Sequence, residues 1–195
     1  MIFRFRAPDE VALARTLADG FGGDLTYHQV GLTRALEAPP PGFVVDRYHR
    51  DLGQGQGVFE RATAVVDDFD FFNLGWVRVV KNGRPEEGDH VAALVKVFGL
   101  WTVNTARVVY RFHTTVDAVT RYGFAYGTLQ HHAECGEERF QVSWSQETDE
   151  VSFEILAFSR PRHLLARLGR PWARRLQKRC GNQAMARMEA LVNEL

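Results

Sequence analysis

Between His131 and Glu138 the chain places two imidazoles, a thiol and three carboxylates: His131, His132, Glu134, Cys135, Glu137 and Glu138. Side chains of these types ligate zinc, iron or manganese when they converge. Adjacent histidines on one loop rarely reach the same ion, however, and no distant second ligand set with metal-site spacing is present. The expectation is therefore no metal and no other cofactor. Proton transfer is the second chemistry open to this stretch. If Glu137 turns inward at the mouth of a cavity beside His132, burial raises the carboxyl pKa while the imidazole titrates near neutrality, and the two become a general acid and base. The plainer account is structural, with the Glu137 carboxylate accepting backbone amides and holding a hairpin. No nucleophile stands out. Cys135 lacks surroundings that would depress a thiol pKa, and Ser159, just ahead of Arg160-Pro161, reads as a helix cap. Arg160 is placed to reach a carboxylate, either Glu137 or that of an anionic ligand.

These residues need a scaffold, and the spacing of apolar residues supplies one. Strand patterns cover 43–52, 74–80, 90–98, 101–112, 122–129, 138–145 and 151–159, most of them separated by short turns such as Asn82-Gly83. Alternation is clearest where Phe140, Val142 and Trp144 oppose Arg139, Gln141 and Ser143, and it recurs in Val108, Tyr110 and Phe112 against Arg107 and Arg111. Two helices come early: 8–19, opened by Pro8 with Asp9 and Glu10 in its first turn, and 58–68, where Phe59, Ala62 and Val66 recur at helical spacing. From Pro161 onward Leu164, Leu165, Leu168, Trp172 and Leu176 form one apolar stripe that continues through Met185, Met188 and Leu191. The glycine-rich turn Gly53-Gln-Gly-Gln-Gly57 lacks the Lys-Ser/Thr ending of a phosphate loop and reads as a chain reversal.

A chain of 195 residues with 45% apolar content can bury one sizeable core, so one structural unit is expected: a main fold over 43–195, with residues 1–42 as an N-terminal extension packed on it. Ala38-Pro-Pro-Pro-Gly42 marks the break between them. No apolar run is long enough to span a bilayer, and the first residues lack the apolar centre of a secretory signal, which points to a cytoplasmic protein. Net charge is zero but uneven. Residues 160–179 carry eight Arg/Lys and no acid, whereas residues 1–159 carry 15 Arg/Lys against 22 Asp/Glu. Arg170, Arg174, Arg175, Lys178 and Arg179, with Trp172 among them, thus form a basic stripe. Such a stripe could hold nucleic-acid phosphates or an anionic membrane surface, although cations on the outer face of an amphipathic helix are more often only solvated.

The order of elements defines an α+β fold. An antiparallel sheet of about seven strands must bury its apolar face, and the long C-terminal helix is the largest element available to cover it. That arrangement resembles the helix-grip fold of the START, birch-pollen-allergen (Bet v 1) and polyketide-cyclase group. Individual motifs resemble the DUF1990 (UPF0548) family of unknown function: Tyr27, Val30, Gly31 and Thr33; Asp46, Leu52, Gly53 and Phe59; Trp76 and Gly88; Trp101, Val109 and Tyr110; Gly123 to Leu129; His132, Glu134, Gly136, Glu137 and Phe140; Ala157 to Pro161. Where that family reads Pro-Gly-His-Pro-Glu, this chain has Gln130-His131-His132-Ala133-Glu134, with the prolines and the glycine gone.

The resemblance implies an elongated apolar cavity between sheet and helix, and hence binding of a small apolar or amphipathic molecule. Trp76, Trp101, Tyr110, Phe124, Tyr126, Trp144 and Phe153 are then either packed core or the cavity lining, joined by Glu137 and Arg160. An enzyme of the cyclase or hydrolase kind, using Glu137 and His132, is the alternative function. An interaction protein acting through the basic stripe is a third.

Overall fold

The structure, a computed structural model, describes residues 2–18, 23–162 and 170–194. In chain order the elements are β1 (Ile2–Arg4), α1 (Glu10–Ala18), β2 (Val44–Gln54), α2 (Gln56–Asp68), β3 (Val77–Val80), β4 (His90–Val97), β5 (Leu100–Val116), β6 (Val119–Thr128), β7 (Glu134–Ser145), β8 (Glu150–Pro161) and α3 (Arg170–Asn193), with single 3₁₀ turns at Leu32–Arg34 and Asp70–Phe72. The strands form one curved antiparallel sheet in the order β2-β8-β7-β6-β5-β4-β3. β1, which the sequence pattern had not indicated, pairs Ile2–Arg4 with Trp101–Val103 of β5. That part of β5 lies beyond its pairing with β6, which begins at Ala106.

Two differences from the sequence expectations matter for the site. The His/Cys/acid stretch is strand from Glu134 onward, so its carboxylates take fixed, alternating faces. Pro161 ends β8 instead of opening a helix, and Ser159 is a strand residue and not a cap. Of the expected helical stripe, Leu164, Leu165 and Leu168 lie outside the described residues. Trp172 and Leu176 do lie on α3, whose buried residues further on include Ala184, Met185, Met188 and Val192.

One end of the concave face is packed solid. α2 lays Phe59, Ala62 and Val66 on the sheet, then stops at Phe69, which takes a left-handed φ of 58° and starts the 3₁₀ turn. Phe69, Phe71 and Phe72 thereby drop onto Phe140, each with ring centroids 5.2–5.7 Å from it. Phe69 also meets Phe124 at 5.1 Å, and Phe71 meets Phe153 at 5.2 Å. Each such ring contributes roughly 1.5–3 kcal/mol on burial. The C-terminal half of α3 closes against α2, where Arg61 donates to the Val192 carbonyl at 2.9 Å. Near mid-helix, Gly181 lets α3 approach β2: a Cβ there would sit 2.3 Å from the Tyr48 ring. Among the described residues no helix is long and apolar enough to cross a membrane.

The convex face carries two smaller clusters. Leu17 of α1 packs on Val80, Ala92, Leu94, Trp101 and Val103, and the segment around Tyr27 packs on Cys135 and Phe158.

Candidate functional site

The other end of the concave face is hollow. A cavity of about 680 Å³ lies between the sheet and the N-terminal half of α3. Apolar side chains come from β3 and β4 (Val77, Val95, Val97), from the β8 residues Ile155 and Ala157, and from Trp172 and Leu176 of α3. Trp76 stands at the wall with its Nε1–H donated to Gln183 at 2.7 Å and the Arg179 guanidinium 5.1 Å from its ring centroid. At one rim Trp172 stacks on Phe98 at 4.7 Å with their planes 19° apart. Phe98 holds the tip of the β4–β5 hairpin at a φ of 49°, where its ring is 83% exposed.

Polar groups gather along one row of the sheet. The registers Asp46↔Ala157, Ala157↔Glu138 and Glu138↔Tyr126 carry that row across β2, β8, β7 and β6. Asp46 takes a two-pronged bond from Arg174 of α3, at 2.5 and 2.7 Å, which leaves that pair neutral. The Tyr126 hydroxyl donates to Glu138 Oε2 at 2.5 Å. Burial pushes the Glu138 carboxyl up from 4.5 to about 7; the Tyr126 bond pulls the other way, and Asp46 adds to the rise. Glu138 is partly buried and lines the cavity. Glu134, also at the wall, is raised chiefly by burial and steadied by Ser159. His132 accepts from the Glu134 amide at Nδ1 (3.0 Å), which places its proton on Nε2, and burial pushes its pKa down to about 4. The imidazole is therefore neutral at pH 7. Cys180, pushed up to about 12 mainly by burial, is a thiol there and no nucleophile.

A carboxyl held above its unfolded value favours the fold while protonated. That contribution is complete below about pH 4 and is lost as pH rises through about 7. Glu138→Gln, which fixes the neutral form, is accordingly expected to be more stable than wild type at pH 8, by roughly 1–3 kcal/mol, and to lose that advantage at pH 4.5. Paired urea denaturations at the two pH values measure this; equal differences at both would show that Glu138 titrates normally.

Several expected site residues lie elsewhere. Glu137, one position from Glu138, has its carboxylate on the convex face, where it accepts the Tyr27 hydroxyl (2.7 Å), the Gly31 and Thr33 amides (2.7 and 2.9 Å) and the Thr33 hydroxyl. It is 2% exposed, and its backbone alone can border the cavity through the sheet. Glu137 and His132 therefore do not meet as acid and base. Tyr110 is also convex, bonded to Thr33 at 2.7 Å beneath the Arg34 guanidinium. A β-bulge between Val108 and Tyr110 reverses the alternation that had put them on one face. Trp101 faces α1. Phe124 and Phe153 are packed core, and Trp144 stacks near Phe59 at 5.8 Å beyond the filled end. Arg160 is exposed over the Phe43 ring, 4.6 Å from its centroid. Of the nine expected lining residues, Trp76 and Tyr126 present side chains to the cavity.

Five of the six residues considered for metal binding divide between faces: Glu134 and Glu138 with His132 border the cavity, while Cys135 bonds the Thr26 carbonyl at 3.1 Å on the other side, as Glu137 does with its partners. The basic stripe is broken as well. Arg174 turns to Asp46, while Arg175, Lys178 and Arg179 are exposed, Arg179 with its guanidinium over Trp76; the Arg170 side chain lies outside those described. Asp46, Tyr48, Glu138 and Arg174 went unrecognised as cavity-wall residues in the sequence. For Glu138 a signal existed, since two steps back from Phe140 in the Phe140/Val142/Trp144 alternation lands on it.

Comparison with known proteins agrees with this geometry at the level of the fold. Residues 26–187 match the sequence profile described as a domain of unknown function, DUF1990. A UPF0548 protein of Dictyostelium discoideum is 35% identical over 194 residues, covering 91% of this chain and 90% of its own. Another from Deinococcus radiodurans is 30% identical over 200 residues, covering 96% of each. Among solved structures, the ZhuI aromatase/cyclase from Streptomyces sp. R1128 superposes with a TM-score of 0.51 at 11% identity, over 78% of this chain and 94% of that one. A hypothetical protein from Helicobacter pylori superposes with a TM-score of 0.54 at 10% identity, over 88% and 97%. The fold is thus the helix-grip fold of START and Bet v 1-like proteins. Identities this low carry the fold and no reaction.

Proposed function

Because this chain belongs to the DUF1990 family, whose description assigns no activity, we infer its role from its own cavity: it binds a small amphipathic molecule between the sheet and α3. The observation that supports this reading most is the division of the concave face. Phenylalanines fill one end to core density, whereas the other keeps about 680 Å³ open beneath a helix that is itself anchored at Tyr48, Asp46 and α2. Volumes of this size suit drug-sized molecules, and apolar walls with a few convergent polar groups are what such sites need. Val77, Val95, Ile155 and Leu176 would take the apolar body; Glu138, Tyr126 and Tyr48 would meet the polar end.

Native mass spectrometry of the purified protein tests this. The expected result is a bound small-molecule adduct that disappears when the chain is unfolded, or uptake of an apolar dye at one site per chain. A spectrum of bare protein together with no saturable dye binding would overturn it.

A further inference from the structure

We propose that the ligand of this cavity carries a protonated amine at its polar end, seated between Glu138 and Tyr48, with an apolar body lying along β3 and β4. The proposal rests on the reading of the cavity as a ligand seat. What selects the amine is the accounting of polar atoms on the wall. Both Asp46 oxygens are taken by Arg174, and that arginine's remaining hydrogen bond is to Gln177 at 3.0 Å. Glu134 has at most the single Ser159 hydroxyl, so one of its oxygens is open as well, and the Glu134 amide occupies His132 Nδ1. Glu138 is the other wall carboxylate with an open oxygen. Its Oε2 accepts the Tyr126 hydroxyl, while among the described residues Oε1 has no hydrogen-bond partner, and the residue lines the cavity.

Tyr48, two residues along β2 from Asp46 on the same face, is electrostatically coupled to Glu138, and its hydroxyl likewise has no partner among the described residues. The charged and titratable groups facing Glu138 are Asp46 and Tyr48 on β2, Tyr126 on β6, Glu134 on β7, His132 in the preceding loop, and Arg174 and Cys180 on α3. With Arg174 neutralised by Asp46 and His132 uncharged, no free cation remains among them to meet an ionised Glu138. Among the described residues, an anionic headgroup would confront Glu134 and Glu138 with only Arg174, already paired to Asp46, to balance it. A neutral hydroxyl would bond Oε1 but leave the charge uncompensated. An ammonium group does both: it donates to Oε1 and to the Tyr48 oxygen, and it restores the ionised carboxylate.

Isothermal titration calorimetry with octylamine, octanol and octanoate separates these cases, since the three share one apolar body. At pH 8 octylamine is expected to bind at least about tenfold more tightly than octanol, and octanoate more weakly than either. At pH 5.5, where Glu138 is protonated, the ratio of amine to alcohol affinity should fall several-fold. In Glu138→Gln it should fall to within about twofold of one at both pH values. Equal binding of octylamine and octanol to the wild type at pH 8 would overturn the amine seat and leave the cavity reading standing, as would tighter binding of octanoate. An amine preference that persists in Glu138→Gln would overturn the assignment to Glu138. Binding of none of the three would overturn the cavity reading itself and this proposal with it.

Discussion

Glu137→Ala is expected to destabilise the protein by about 3 kcal/mol or more, which corresponds to roughly 6–12 °C in Tm for a domain of this size. The reason is the number of donors left behind. Tyr27, Gly31 and Thr33 point two hydroxyls and two backbone amides at one buried carboxylate. Each donor stranded without water or a partner costs about 1–3 kcal/mol, and partial relaxation reduces the sum. Arg139 reinforces the same segment by donating to the Thr33 carbonyl at 2.7 Å, so residues 27–33 are held to the convex face from two sides. Gly127 makes the approach possible, since a Cβ there would lie 2.3 Å from the Tyr27 oxygen. Tyr27→Phe, which removes one donor and leaves the carboxylate its other three, should cost only about 1 kcal/mol. Urea denaturation at constant pH measures both. A loss below 1 kcal/mol for Glu137→Ala would mean that the carboxylate does not organise this segment, and would return it to consideration as a group free for chemistry.

The second large effect is a contrast between neighbours. Ala92 and Ala93 are adjacent on β4 and point to opposite faces: Ala92 is fully buried in the cluster beneath α1, while Ala93 borders the cavity. Ala93→Trp should leave stability within about 1 kcal/mol of wild type, because the indole enters open space. It should also weaken binding of the neutral dye N-phenyl-1-naphthylamine at least about tenfold by occupying its volume. Ala92→Trp should destabilise by about 2 kcal/mol or more, because close-packed interiors do not admit added volume without displacing neighbours. Fluorescence titration and thermal denaturation of the two variants side by side give the result. Two equally destabilised variants would show that the cavity side is as full as the other.

The sequence made the framework legible because strand and helix periods are local. Phe59, Ala62 and Val66 announced α2 at its own spacing, and the alternation of Phe140, Val142 and Trp144 marked the buried face of β7. The site was less legible, for reasons that can be named. A single extra residue between Val108 and Tyr110 turns the rest of β5 over, and nothing in the residue types there signals it, so Tyr110 and Phe112 change face. The acid–base reading turns Glu137 inward, although the alternation through Phe140 assigns the inward position to Glu138. The ion pair of Asp46 with Arg174 joins residues 128 apart, a distance over which spacing carries no information. Whether rings lined a cavity or filled a core depended on the three phenylalanines after α2. They pack one end solid and leave the other open, a matter of where the chain turns at Phe69 and not of composition.

The central claim is that the space between the sheet and the first half of α3 is a ligand seat. A crystal structure of the protein grown with N-phenyl-1-naphthylamine tests it most directly. Density for the dye is expected against Val95, Leu176 and Tyr126, with Glu138 within reach of its polar atom and the Phe69–Phe72 end unchanged. Density confined to the outer surface, or side chains filling the space with α3 drawn down onto the sheet, would contradict it.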